Sequence, residues 1–116
     1  MRVIKYRDGV VIEDRTVPTP PPTADDVRAE ASRRMQALVG ARDAAHLDII
    51  IANGTREAVR LLRKGSALWS DEERVRAASL EQIDIAFEAI REASNSLEAD
   101  PPVDYADDRH WPSSAA

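Results

Sequence analysis

The chain has 116 residues, 32% of them charged, with a formal net charge of −5 and a pI near 5.0, a balance that argues against a phosphate-backbone partner. No cysteine is present, which excludes a disulfide framework, a thiolate nucleophile and a cysteine-ligated zinc site. The length suits one small domain, and with aromatic residues at 4% its core must be thin, built from Leu, Ile, Val and Ala around a single Phe.

Met1 to Asp8 carries charges every few positions and no apolar run, so no signal peptide is expected, and nothing approaches the length of a membrane span. The expectation is a soluble protein made in the cytoplasm. Val3–Arg7 and Val10–Glu13 are β-rich runs on either side of Asp8-Gly9, a dipeptide suited to a two-residue type I′ turn. A β-hairpin over residues 3 to 17 follows, with Tyr6 opposite Val11 and Ile4 opposite Glu13. A lone two-stranded ribbon is marginal in water, so this one needs a cover. Pro18-Thr-Pro-Pro-Pro22 favours polyproline II, and reads better as a stiff spacer than as a ligand for an aromatic groove.

Three helices are expected next, over about 23–39, 43–64 and 70–99. Thr23 caps the first, Val27, Ala31, Met35 and Leu38 share one face of it, and Gly40 ends it. Arg28, Glu30, Arg33 and Gln36 read as its solvated side. Asp43 opens the second, with Leu47, Ile50, Ile51, Ala58, Leu61 and Leu62 in a stripe that also contains Gly54. The β-branched Ile49-Ile-Ile51 and the Asn53-Gly54 pair compete with a helix there, but the stripe keeps phase across them and favours one helix, bent or straight.

The third helix is the longest feature of the sequence. Ser70-Asp-Glu-Glu73 has the form of a capping box, and its three acids suit the positive end of the helix dipole. Leu80, Ile83, Phe87, Ile90 and Leu97, with Ser94 at the skipped step, alternate three and four residues apart. That is the seam of a helix packed on other helices. About 28 residues run without proline or glycine, a rod of roughly 42 Å. The seam reads mainly as an intramolecular three-helix core, in which Phe87→Ala would cost about 3–5 kcal/mol. Trp69, just ahead of the cap, is placed to plug the junction between the second and third helices.

Asp100-Pro101-Pro102 stops the last helix, and residues 100–116 read as an extended tail carrying Tyr105 and Trp111. Two readings stand: a disordered tail, or a strap whose aromatic residues anchor on a surface. Asp104, Asp107, Asp108 and His110 match no calcium loop, and no metal site is expected. The carboxylates lie along helix faces, and there is no glycine-rich phosphate loop or serine elbow, so neither enzyme nor cofactor is expected. Arg56, Arg60, Arg63 and Lys64 form the one basic patch, suited to balancing acidic helices.

Three stretches together resemble a known group of proteins: Pro20-Pro-Pro-Thr-Ala-Asp-Asp-Val-Arg-Ala-Glu-Ala-Ser-Arg-Arg34, Ala67-Leu-Trp-Ser-Asp-Glu-Glu73, and the ending from Ala89 through Pro101-Pro-Val-Asp-Tyr105 to His110-Trp-Pro112. They resemble small tail-associated proteins of tailed bacteriophages and prophages of alphaproteobacteria, often encoded near tail fibre genes. The chain departs from that pattern between Leu47 and Gly54. The resemblance implies a structural or accessory protein of a phage tail, located in the virion and bound to a tail fibre or baseplate protein, with homo-oligomers allowed. An assembly chaperone for the tail fibre, absent from the mature virion, is the alternative. Candidate partner-binding residues are Tyr6, Val11, Tyr105 and Trp111.

Overall fold

A computed structural model describes residues 19–113 of the chain. The hairpin expected over residues 3 to 17 lies outside them, and with it Tyr6 and Val11. Within the described residues the protein is mainly helical: α1 spans Ala24–Val39, α2 Ala44–Lys64 and α3 Asp71–Glu98, followed by a C-terminal segment folded onto α1 and α3. Thr19 to Pro22 lead into α1 as irregular, mostly exposed chain.

Each helix starts where a short polar side chain satisfies the free amides of a first turn. Thr23 accepts from the Asp26 amide while the Asp26 carboxylate accepts from the Thr23 amide at 2.8 Å, a complete capping box. Asp43 accepts from the His46 amide at 2.7 Å, and His46 Nδ1 in turn accepts from the Arg42 amide at 3.0 Å. Ser70 and Glu73 exchange the same pair of bonds as Thr23 and Asp26. Gly40, at φ 69°, stops α1 in the left-handed conformation that a glycine adopts without a Cβ penalty. Helix α2 runs unbroken through Ile49-Ile-Ile51 and Gly54. There the phase of the apolar stripe outweighs β-propensity and the glycine's cost of about 1 kcal/mol.

The core forms between α1, the C-terminal half of α3 and the end of the chain. Val27 and Ala31 from α1, Ile90 from α3 and Trp111 form one buried cluster, with Met35, Ala93, Leu97 and Tyr105 packed around it. Ser94, at the seam's skipped step, is also buried. Arg28 of α1 pairs with Glu98 at the end of α3 and ties the two helices at their outer ends.

The tail is therefore not extended. From Pro102 it winds into turns, with the Tyr105 amide donating to the Pro102 carbonyl and the Asp107 amide to the Asp104 carbonyl, and then into a single 3-10 turn over Asp108–His110. The Trp111 indole, 6% exposed, donates through Nε1 to the Tyr105 carbonyl at 2.7 Å, so its one polar atom is satisfied inside the core. Arg34 of α1 clamps this strap. Its guanidinium lies 5.1 Å from the Trp111 ring centroid and donates to the Ala106 carbonyl and to Asp108, each at 2.9 Å. A planar fork can stack and donate at the same time, which a lysine cannot do.

Glu30, expected on a solvated face, is buried under this arrangement. It accepts from Arg33 at 3.1 Å and lies 3.8 Å from Arg34 Nε.

Candidate functional site

The other half of the molecule is built differently. Helix α2 meets α3 at the connector, and beyond it the two helices flank a groove. At the connector Trp69 donates through Nε1 to the Leu61 carbonyl at 2.9 Å, a carbonyl near the end of α2, and plugs the junction. Around it lies an ion-pair network. Glu73 bridges Lys64 at 2.6 Å and Arg60 at 3.1 Å, and Glu57 bridges Arg60 at 2.6 Å and Arg76 at 3.2 Å. The Lys64 ammonium, then the Ser70 amide and Arg60, hold the Glu73 carboxyl down at about 2. Hydrogen bonding from Arg60 likewise lowers Glu57, and its two carboxylate partners raise the Arg60 guanidinium. Two members of the predicted basic patch, Arg60 and Lys64, thus balance acids as expected.

Beyond Trp69 the facing positions on α2 are small. Gly54 and Ala58 stand where larger side chains would reach Leu80 and Ile83, and a Cβ added at Gly54 would meet only the Leu80 side chain, at 3.5 Å. The space left is a groove of about 420 Å³ between the two helices, lined by Ile50, Ile51, Ala58, Leu62, Leu80 and Phe87 among others. Thr55, on the same wall, donates its hydroxyl to the Ile51 carbonyl at 2.9 Å, so it presents no unmet polar group there. Leu62 is 76% exposed at the groove's edge. Ile49, Leu68, Val75 and Ile85 are also exposed, although scattered surface aliphatics are normal, whereas the groove gathers apolar residues into one concavity.

The expected three-helix core is thus corrected in one respect. The seam of α3 is closed from Ile90 to Leu97, whereas the half-buried Leu80 and Ile83 and the buried Phe87 line the groove. A 3–4 repeat states that a helix face will be covered and does not state by what.

Of the sequence-predicted partner residues, Trp111 is buried in the chain's own core and Tyr105 is half-buried beside it, so in this conformation the indole is not presented outward. Tyr6 and Val11 lie outside the described residues. The acidic tail cluster is distributed among local contacts. Asp104 pairs with His110 at 2.9 Å and with Arg109, Asp107 accepts from the Arg109 amide, and Asp108 holds Arg34. Among the described residues, no group of three His, Asp or Glu side chains could hold a metal ion, and no helix is long and apolar enough to cross a membrane.

The groove was not singled out by the sequence, though a signal existed. The stripe on α2 is wider than a two-position seam, with Ile50 and Leu62 flanking it, while its centre carries Gly54 and Ala58. A broad apolar face with a hollow centre is the pattern of a surface that receives another element. No family model matches this chain, nor does a curated protein or a solved structure.

Proposed function

We propose that this chain is a structural or accessory protein of a phage tail, made in the host cytoplasm and carried in the virion, where it binds a tail fibre or baseplate component through its helical body. The groove between α2 and α3 carries this reading, because among the described residues it is an apolar concavity three to four turns long, while the cluster around Val27 and Trp111 is already packed internally. The phage context comes from the likeness of residues 20–34, 67–73 and 89–112 to tail-associated proteins. In this reading the protein converts no substrate. Its work is adhesion, with α1, the second half of α3 and the strap forming a rigid base that presents α2. The β-hairpin proposed over residues 3 to 17 would add a second adhesive end, a strand edge able to extend a partner's sheet, with Tyr6 and Val11 on it.

Mass spectrometry of purified particles tests the reading. The protein should be present at a copy number that matches the tail's symmetry. Its absence from finished particles, together with a changed yield of the fibre protein on co-expression, would instead assign it to fibre assembly.

A further inference from the structure

Resting on the reading of the chain as a binding protein, we infer that the groove receives a single amphipathic α-helix from another protein, its apolar stripe on the groove floor and a row of lysine or arginine side chains along α3. The dimensions suit a helix. From Ala77 to Arg91 on α3 and from Ile50 to Leu62 on α2 the walls run for about 21 Å and 18 Å at 1.5 Å per residue, close to four turns. A helix laid in such a groove offers anchors at i, i+3, i+4 and i+7, which match the spacing of Leu80, Ile83 and Phe87 beneath it.

The edges state the partner's charge. Glu81, Asp84, Glu88 and Glu92 recur three, four and four residues apart, which sets them along one side of α3, next to the groove. Glu81 and Asp84 line it directly. All four are exposed, and none makes an ion pair or hydrogen bond among the described residues. At the connector, by contrast, Glu57 and Glu73 are each tied to two cations. On the opposite rim the groove-lining residues of α2, Thr55 and Leu62, are uncharged, and the one charge on that line of the helix, Asp48, stands before Ile50, where the wall begins. One acidic edge and one neutral edge select an occupant with a basic flank on one side only, and so fix which way round it lies.

Among the described residues, a second copy meeting this one groove to groove does not supply that flank. Two grooves brought face to face would present the same floor and the same acids to each other. Arg56 and Arg63, which have no partner among the described residues, lie on the back of α2, away from the groove. Arg91, at the groove's end, is held over the Phe87 ring at 5.9 Å from its centroid.

Two synthetic helical peptides of about 18 residues, long enough to span the walls, test the inference on the full chain. Both carry the same leucine stripe, one with lysines along a single flank and the other with glutamates, and binding is read by fluorescence anisotropy of the labelled peptide. The lysine peptide should bind one to one, about ten-fold or more tighter than the glutamate peptide, and weaken as salt is raised. The double variant Glu81→Lys with Glu88→Lys should reverse the preference. Ala58→Leu, which fills the floor, should abolish binding of both peptides while helicity and the denaturation midpoint hold. If Ala58→Leu lowers the midpoint, Leu62→Asp, at an exposed position, replaces it as the blocking variant. Equal affinity for the two peptides, binding that survives the blocking variant, or no binding at all would each overturn the inference. So would a dimer in sedimentation that the blocking variant dissociates, which would give the groove to a second copy. These outcomes are independent of whether the protein is found in particles, so the inference and the tail assignment can fail separately.

Discussion

The two halves of α3 use one repeat for two purposes. From Ile90 to Leu97 the seam is met by Val27, Ala31 and Met35 of α1 and sealed by Trp111 from the tail. From Ala77 to Ile83 the same repeat faces α2 across Gly54 and Ala58 and stays open. Hydrophobicity does not separate them, since Leu80 and Ile83 are as apolar as Ile90 and Leu97. What differs is the facing residue. Trp111 seals one half over the face of Val27, Ala31 and Met35, and Gly54 and Ala58, with no such cover, leave the other hollow. Stability therefore sits at one end of the helix, and surface available to a partner at the other.

The sharpest way to break this comparison is to truncate one residue on each side. Trp111→Ala removes the seal of the closed half and should cost about 3–5 kcal/mol, a large part of the 5–15 kcal/mol available to a small domain. Leu62→Ala at the groove edge should change stability by no more than about 0.5 kcal/mol. Urea denaturation followed by circular dichroism reads both, and similar costs at the two sites would show that the halves do not differ as described. A smaller effect is expected where the open half is anchored. Ser70→Ala removes the hydroxyl that accepts from the Glu73 amide and should cost about 1 kcal/mol in the same measurement.

Gly54→Ala should act in the opposite direction. The added methyl meets Leu80 at ordinary contact distance, so the gain of about 1 kcal/mol in helix propensity should be kept and α2 stiffened. A loss of stability would mean that the hollow at Gly54 belongs to the fold and not to a partner. The smallest effect concerns pH. The Glu73 carboxyl sits at about 2 against an ordinary 4.5, so its contribution is complete above about 4.5 and is lost as pH falls toward 2. Glu73→Gln keeps a side chain suited to the capping box but cannot ionise. Its thermal midpoint should lie below that of the parent at pH 6 and converge with it near pH 2. A constant gap across that range would show that the Lys64 and Arg60 contacts contribute nothing through charge.

Much of the helical framework was legible from residues alone because its determinants are local. Thr23, Asp43 and Ser70 cap amides within three residues of themselves, and Gly40 and Gly65 close helices whose stripes end beside them. For the tail, a strap anchored by its aromatic residues was one of two readings, but its turns and the burial of Trp111 in the chain's own core were not legible. Trp111 finds its place only after α1 and α3 have come together more than 70 residues away along α1, and the Arg34 clamp joins positions that no periodicity connects. The burial of Glu30 was likewise not legible, since its place in the helix repeat reads as solvated. The groove was half legible: the apolar stripes of α2 and α3 were plain, but the seam's spacing carries no statement of which segment will fill it.

Hydrogen exchange of the full chain, alone and with the lysine-flanked peptide, tests the division most directly. In isolation, amides of α1 and of residues 87–97 in α3 should exchange only through global unfolding, and those in the middle of α2 faster, through local opening. With peptide present, α2 and residues 77–86 of α3 should gain protection, and amides that exchange only through global unfolding should gain no more than the stability that binding adds. Should α2 prove as protected as α1 in the isolated chain, or should the peptide protect the strap and leave the groove unchanged, the assignment of binding to the open half would be wrong.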